Sequence, residues 1–315
     1  MDSAATNQQT FFLTSSGKQK FAVQSLLPAE GNSKAIILLI PGMAEHAGRY
    51  RAFAGFLAEN GYGFFSADHP GQGLTAGDES NFGLVSKTRG WESMLENIRA
   101  LYTHIRKTRP EIPVYLFGHS MGSVLARHFA AVYPVYLQGL ILSGPFETDP
   151  FTLTISRTFN RLLIFSSGSR AKNKWFNKMF YGNLNRHFKP RPTPFEWISS
   201  VREEVDAYHA DPACGFHCSN GFYHSLFMGI GAMQKAQHNL KYRKTLPLLI
   251  LSGQDDPVGS FGKDALKIHE TFYKQKFQNL TLKVMRGRHE LLREADKEKT
   301  QLFLLNWMDE NLRVK

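Results

Sequence analysis

The sequence predicts an α/β fold: a mostly parallel central sheet with helices on both faces, interrupted by one inserted segment. Short, nearly continuous aliphatic runs alternate with stretches whose apolar residues recur at spacings of three and four. That alternation is the signature of buried parallel strands joined by helices. A Ser-Ser-Gly-Lys turn between two strand-like runs near the start adds an antiparallel hairpin at the sheet edge. The alternation also stops near Asp149 and resumes at Leu246, which marks the insertion.

In chain order, TFFLTSSGKQKFAVQSLLP reads as the edge hairpin. AIILLIPG is a buried strand ending in a Pro-Gly turn, and GYGFFSADHPGQG is a strand running into a glycine-rich loop. Trp91, Met94, Leu95, Ile98, Leu101, Tyr102 and Ile105 form one stripe on a helix. PVYLFG, SVLARHFAAVY and LQGLILSGP follow as strand, helix and strand. After the insertion come LPLLILSGQDDPVG (strand and loop), a helix through Leu266 and Phe272, LTLKVMRGRHE (strand and loop) and a last helix ending near Leu312. The chain thus divides into a core of residues 1–148 and 238–315 with a lid of residues 149–237. The lid is expected over the carboxyl ends of the strands, where open α/β sheets bind ligands.

The 315 residues, 42% hydrophobic, suffice for one large core domain with an insertion. Two cysteines, Cys214 and Cys218, are too few for a disulfide-stapled secreted scaffold. The start MDSAATNQQTFFL lacks a basic region followed by a long apolar one, so no signal peptide is expected. The longest aliphatic run, AIILLI, is too short to span a bilayer. These features predict a cytoplasmic protein, peripheral to membranes at most. The net charge of +11 is concentrated: Arg157 to Arg191 holds nine Lys/Arg, seven aromatics and no acid. Cations beside aromatics suit an anionic membrane surface, each contributing about 1 kcal/mol. FTLTISRTFNRLLIF adds an amphipathic helix with an apolar face. An ordinary solvated lid with inward-packed aromatics explains the same composition. Nucleic acid is not an expected partner, because no recognition motif accompanies the charge.

Function is carried by Gly118-His119-Ser120-Met121-Gly122, between a strand and a helix. Gly-x-Ser-x-Gly in that context is a nucleophile elbow, a turn so tight that only small residues fit two places either side of the serine. It lifts the Ser120 hydroxyl to the top of the sheet and aims the Met121 amide at the reacting centre. Outside such a context the pattern is common, and a glycine-rich turn with a capping serine would explain it. A serine needs a histidine to take its proton and an acid to orient that histidine. With an elbow of this kind they follow in the order Ser, Asp/Glu, His. The loop after LLILSG supplies Asp255 and Asp256, and only His269 and His289 come later. His269 falls within a helical pattern, whereas His289 directly follows a strand. The oxyanion hole needs a second amide from the loop after an early strand. In LLIPGMAEHAGRY, Pro41 has no N–H and Gly42 lets the chain turn, so Met43 is the best donor.

PGMAEHAGRY, ADHPGQGLTAG, GHSMGS, SGQDDPVG and GRHELLRE resemble the successive motifs of α/β-hydrolases of the monoacylglycerol lipase and bacterial lysophospholipase type. The resemblance runs from about Lys20 to the C-terminus and extends to DPACGF and NGFY in the insertion. It implies the α/β-hydrolase fold and a serine hydrolase of carboxylic esters. Ser120 would be the nucleophile, Asp256 the acid, His289 the base, and Met43 and Met121 the oxyanion donors. Asp256 is preferred over Asp255 through the family's Gly-x-x-Asp pattern, counted from Gly253. Pro41 departs from the histidine many members carry there, and Thr75 from the usual serine.

Other polar groups are expected to be structural. Asp68 and His69 read as a loop brace and not a metal pair, and Glu45, His46 and Arg49 as ties on the oxyanion loop. His119 reads as packing under the turn. Cys214 and Cys218, with His217 and His224 nearby, lack the Cys-x-x-Cys spacing of zinc sites. No cofactor or metal is expected. The leading expectation is hydrolysis of monoacyl lipid esters through an acyl-enzyme. An aminopeptidase or amidase could use the same triad but needs an acid to hold the substrate amine. A non-catalytic lipid-binding protein would not need the triad.

Overall fold

The computed structural model describes residues 7–29, 32–133, 135–238 and 243–313. Its elements are strands β1 (Asn7–Thr14), β2 (Lys20–Leu27) and β3 (Ile36–Ile40), helix α1 (Arg51–Glu59), strand β4 (Gly63–Ala67), helix α2 (Gly90–Thr108), strand β5 (Val114–His119), helix α3 (Met121–Val132) and strand β6 (Gly139–Ser143). Four helices follow, α4 (Pro150–Ser167), α5 (Lys174–Asn185), α6 (Arg202–Ala210) and α7 (Asn220–His238). The chain then completes the sheet with β7 (Leu248–Gly253), α8 (Lys263–Lys274), β8 (Leu280–Met285) and α9 (Lys297–Arg313).

The eight strands lie in the order β1-β2-β4-β3-β5-β6-β7-β8. β1 pairs antiparallel with β2, and β2 with β4; all other neighbours are parallel. The edge hairpin and the parallel core expected from the pattern are both present. The aliphatic runs are buried on both faces because successive residues point to opposite sides. Ile36, Leu38 and Ile40 join one core with Ile98 of α2 and Phe129 of α3. Ile37 and Leu39 join the other with Leu57 of α1 and Leu304 of α9.

α1 is not among the elements expected from sequence. It buries Phe53, Ala54, Leu57 and Ala58, a stripe of barely two turns that is half alanine, so its periodic signal is short. The 149–237 segment is largely helical. α4 starts on a strong cap, Asp149 accepting from the amides of Phe151 and Thr152, with Pro150 in the first turn. α7 packs against α3, α4 and α2. Among the described residues no helix is long and apolar enough to cross a membrane.

Register positions the site. Ile40 pairs with Gly118, and His119 with Ser143, so β3, β5 and β6 end side by side. The loops that leave them carry Met43, Ser120 and Gly144 to one edge of the sheet.

Candidate active site

Ser120 follows the last residue of β5 with φ 53° and ψ −120°. A non-glycine residue in that region costs roughly 1–3 kcal/mol, and the surroundings hold it there. The Ser120 amide donates to the Ser143 carbonyl at 2.9 Å, and α3 begins at once. The glycines of the motif have a steric reason. A Cβ at Gly118 would lie 2.3 Å from the Gly122 oxygen, and one at Gly122 would lie 2.1 Å from the Ile40 oxygen. Helix α3 can pack this closely on β3 and β5 only with bare backbone at both places.

His289, just beyond β8, is buried, and its Nδ1 lies 2.9 Å from Asp256 Oδ2. Asp256 is fully buried, and its other oxygen accepts from the Val258 amide at 2.8 Å. Asp255 is exposed on the same loop, its carboxylate accepting from the Gln254 side-chain Nε2 at 3.3 Å. With Nδ1 donating to a carboxylate, Nε2 is an acceptor. Among the described residues nothing donates to it, Ser120 included, although the atom is buried. The ring is enclosed by His119 and Trp197, at centroid distances of 4.8 and 5.3 Å. Gly144 completes the enclosure, since a Cβ there would come 2.9 Å from His289 Cε1. Burial, the largest single influence, opposes protonation of His289. The charge and hydrogen bond of Asp256, with Glu290 and Glu45, outweigh it and raise the imidazole above its ordinary 6.5. His119 is driven the other way, to about 4, first by burial and then by His289. It stays neutral beside that ring.

The loop after β3 lies against the serine: a Cβ at Gly42 would come 3.1 Å from Ser120 Cβ. Two of its amides are occupied, Gly42 donating to Glu45 Oε1 and Ala44 to Gln72 Oε1. Among the described residues the Met43 amide between them has no acceptor. Gln72 also donates to the Gly42 carbonyl, and His69 to that of Pro41, at 3.0 and 3.2 Å. Asp68 accepts from the Ala47 and Leu74 amides, each at 2.7 Å. Asp68 and His69 therefore brace the loop from below.

A buried ion network joins this loop to the one carrying His289. Arg49 pairs with Glu45 at 2.9 Å and takes both oxygens of Glu290 at 2.7 Å. The Tyr50 hydroxyl donates to Glu45. Burial disfavours the Glu290 charge, but Arg49 prevails and holds its carboxyl down at about 2. Gln72 and Glu290 were not expected from sequence; the place of Glu290 directly after His289 is the only local signal. Removing one partner of such a network costs about 3–5 kcal/mol, because a charge is left buried and unpaired. Cys214 and Cys218 are unpaired and buried in different apolar clusters. The 149–237 segment reaches the site directly: Trp197 and Ile198 accept backbone hydrogen bonds from His289 and Glu290.

The family model described as serine aminopeptidase S33 matches residues 31–296. The monoglyceride lipase of Mus musculus is 26% identical over 275 residues, covering 87% of this chain and 81% of that protein. The monoglyceride lipase of Homo sapiens is 28% identical over 275 residues, covering 86% and 80%. A thermostable carboxyl esterase from Bacillus coagulans, solved with glycerol, superposes with a TM-score of 0.83 at 24% identity, over 98% of this chain and 99% of that one.

Proposed function

The chain belongs to the serine aminopeptidase S33 family, and we propose that Ser120, Asp256 and His289 are the triad by which it cleaves the esters of monoacyl lipids. It is a serine carboxylic-ester hydrolase. The observation that carries the triad is the buried Nε2 of His289, an acceptor with no donor among the described residues, on a ring held by Asp256. In the reaction Ser120 Oγ attacks the ester carbonyl carbon while Nε2 takes the hydroxyl proton. The Met43 and Met121 amides receive the oxyanion. His289 returns the proton to the departing alcohol, and water then repeats the sequence on the acyl-enzyme. The Ser120–His289 hydrogen bond forms when substrate is bound, as is common in such sites.

The likeness to monoglyceride lipases, which covers 86–87% of this chain and 80–81% of those proteins, supports a monoacyl substrate. Peptide amines fit poorly. The buried carboxylates beside the triad are already engaged, Glu45 and Glu290 with Arg49 and Asp256 with His289, which disfavours them as partners for a substrate ammonium group. A lipid panel tests this. Monoacylglycerols or lysophospholipids are expected to be hydrolysed, and a serine-directed fluorophosphonate to label the protein. Faster cleavage of amino-acid arylamides than of any ester would reverse the reading.

The pH profile gives a second test. His289 must be neutral to accept a proton, and its raised pKa favours the protonated form. kcat/KM on a soluble ester should therefore fall with acid along a limb centred above 6.5. Asp256→Asn removes the charge that raises the pKa, so its residual activity should titrate at lower pH. A wild-type limb below 6.5 contradicts the pairing.

Residues 149–237 act as a lid that docks on anionic membrane. The exposed face of α4 carries Phe151, Ile155, Leu162 and Phe165, the last 93% exposed. An apolar stripe beside cations is what a lipid surface engages. Phe159 packs partly inward, and the side chains of Trp175, Phe176, Phe180 and Tyr181 lie outside the described residues. Wild type should sediment with anionic vesicles more than with zwitterionic ones, and less as salt rises, since exposed charges are screened over about 8 Å. Reversing Lys172, Lys174 and Lys178 to Glu should weaken that binding and leave a soluble ester's turnover nearly unchanged. Equal binding to both vesicle types ends the membrane reading.

A further inference from the structure

Three side chains from separate parts of the sequence meet beside the loop after β3. His46 lies on that loop, Asp211 closes the end of α6, and Cys214 follows in the next turn, its amide donating to the Asp211 carbonyl at 2.9 Å. The imidazole nitrogen, carboxylate oxygen and thiol sulfur all lie within 4.8 Å of one another. Asp211 is already oriented: one oxygen accepts from the Ala213 amide at 2.8 Å, and the other lies 2.9 Å from His46 Nε2. Together with the nearby thiol these are the donors a borderline-soft cation would bind.

We propose that His46, Asp211 and Cys214 form a zinc-binding site joining the loop after β3 to the end of α6. Nitrogen, oxygen and sulfur donors together are a zinc set, and three protein ligands leave a fourth position for water. The His46 and Asp211 side chains are 20% and 33% exposed, so an ion can enter from solvent. Cys214 closes the inner side, buried against Phe195, Ile198 and Tyr208. With zinc bonds of about 2.0–2.3 Å, tetrahedral ligand atoms lie roughly 3.5 Å apart. Binding therefore needs an inward turn of the side chains by about 1 Å from the present spread of 4.8 Å. The thiol proton leaves to solvent, and the imidazole carries its remaining proton on Nδ1 while Nε2 takes the metal. Arg49, the nearby cation, is neutralised by Glu45 and Glu290. Cys-to-Cys spacing could not reveal this site, because Cys218 packs in a different cluster.

The test does not depend on the hydrolase reading. Co2+ is titrated into the full chain in place of zinc, and the thiolate-to-cobalt charge-transfer absorption is followed. Wild type should show the band at one ion per chain and lose it when Zn2+ is added. Cys214→Ser should lose the band. Asp211→Asn, which keeps the thiol, should weaken binding by about tenfold or more, and this arm decides the question if Cys214→Ser does not fold. The site is overturned if wild type shows no band, if the band persists in Cys214→Ser, or if Asp211→Asn binds as tightly as wild type.

Discussion

Ser120→Ala should lower ester turnover by about a thousandfold or more while the protein stays folded. The hydroxyl is the proposed covalent centre, so its loss leaves only binding and the oxyanion amides to assist hydrolysis. The fold should tolerate the change. The Ser120 amide keeps its bond to Ser143, and the positive φ is already borne by a residue with a Cβ. The strain is therefore the same for alanine as for serine. kcat on a p-nitrophenyl ester and Tm should be measured on one preparation. A mutant that keeps a tenth of wild-type turnover, free of contaminating esterase, removes Ser120 from the mechanism.

Asp256→Asn should cost about ten-thousandfold in kcat, the scale seen when a triad acid is made neutral. An asparagine can turn its NH2 toward Nδ1, which puts the imidazole proton on Nε2. That tautomer cannot accept from Ser120. The charge that favours imidazolium goes as well. Asp255→Asn is the control. Its side chain is exposed, and its structural contribution is an amide bond to the Gly287 carbonyl, which the substitution keeps. Its effect should stay within about 0.5 kcal/mol, or roughly twofold. Comparable losses at the two positions would reverse the choice of acid.

Much of the architecture is legible because its signals are local. The runs that become β3, β5, β6 and β7 are buried on both faces, so they are apolar almost throughout, polar residues entering only at the carboxyl ends (His119, Ser143, Ser252), and no alternation confuses the reading. The elbow is legible for a similar reason. The chain must leave β5, pass through a strained serine and enter α3 while touching β3, and only glycine satisfies those clearances at 118 and 122. α1 escaped because two turns rich in alanine make a weak stripe.

The sequence by itself determined the strand order in time, the place of the serine elbow and the short list of candidate acids and bases. Only the tertiary structure decided which of them meet. Asp255 and Asp256 are identical in chemistry and adjacent in the chain, and they differ in direction alone: one side chain faces solvent and the other His289. Glu45, Arg49 and Glu290 lie up to 245 residues apart, and Gln72 reaches a loop thirty residues before it. Charged and amide side chains carry no periodic signal, since their partners are set by which loops the sheet register brings to one edge. That register is a property of the whole packed sheet, so the contacts at its edge exist only once the fold is complete.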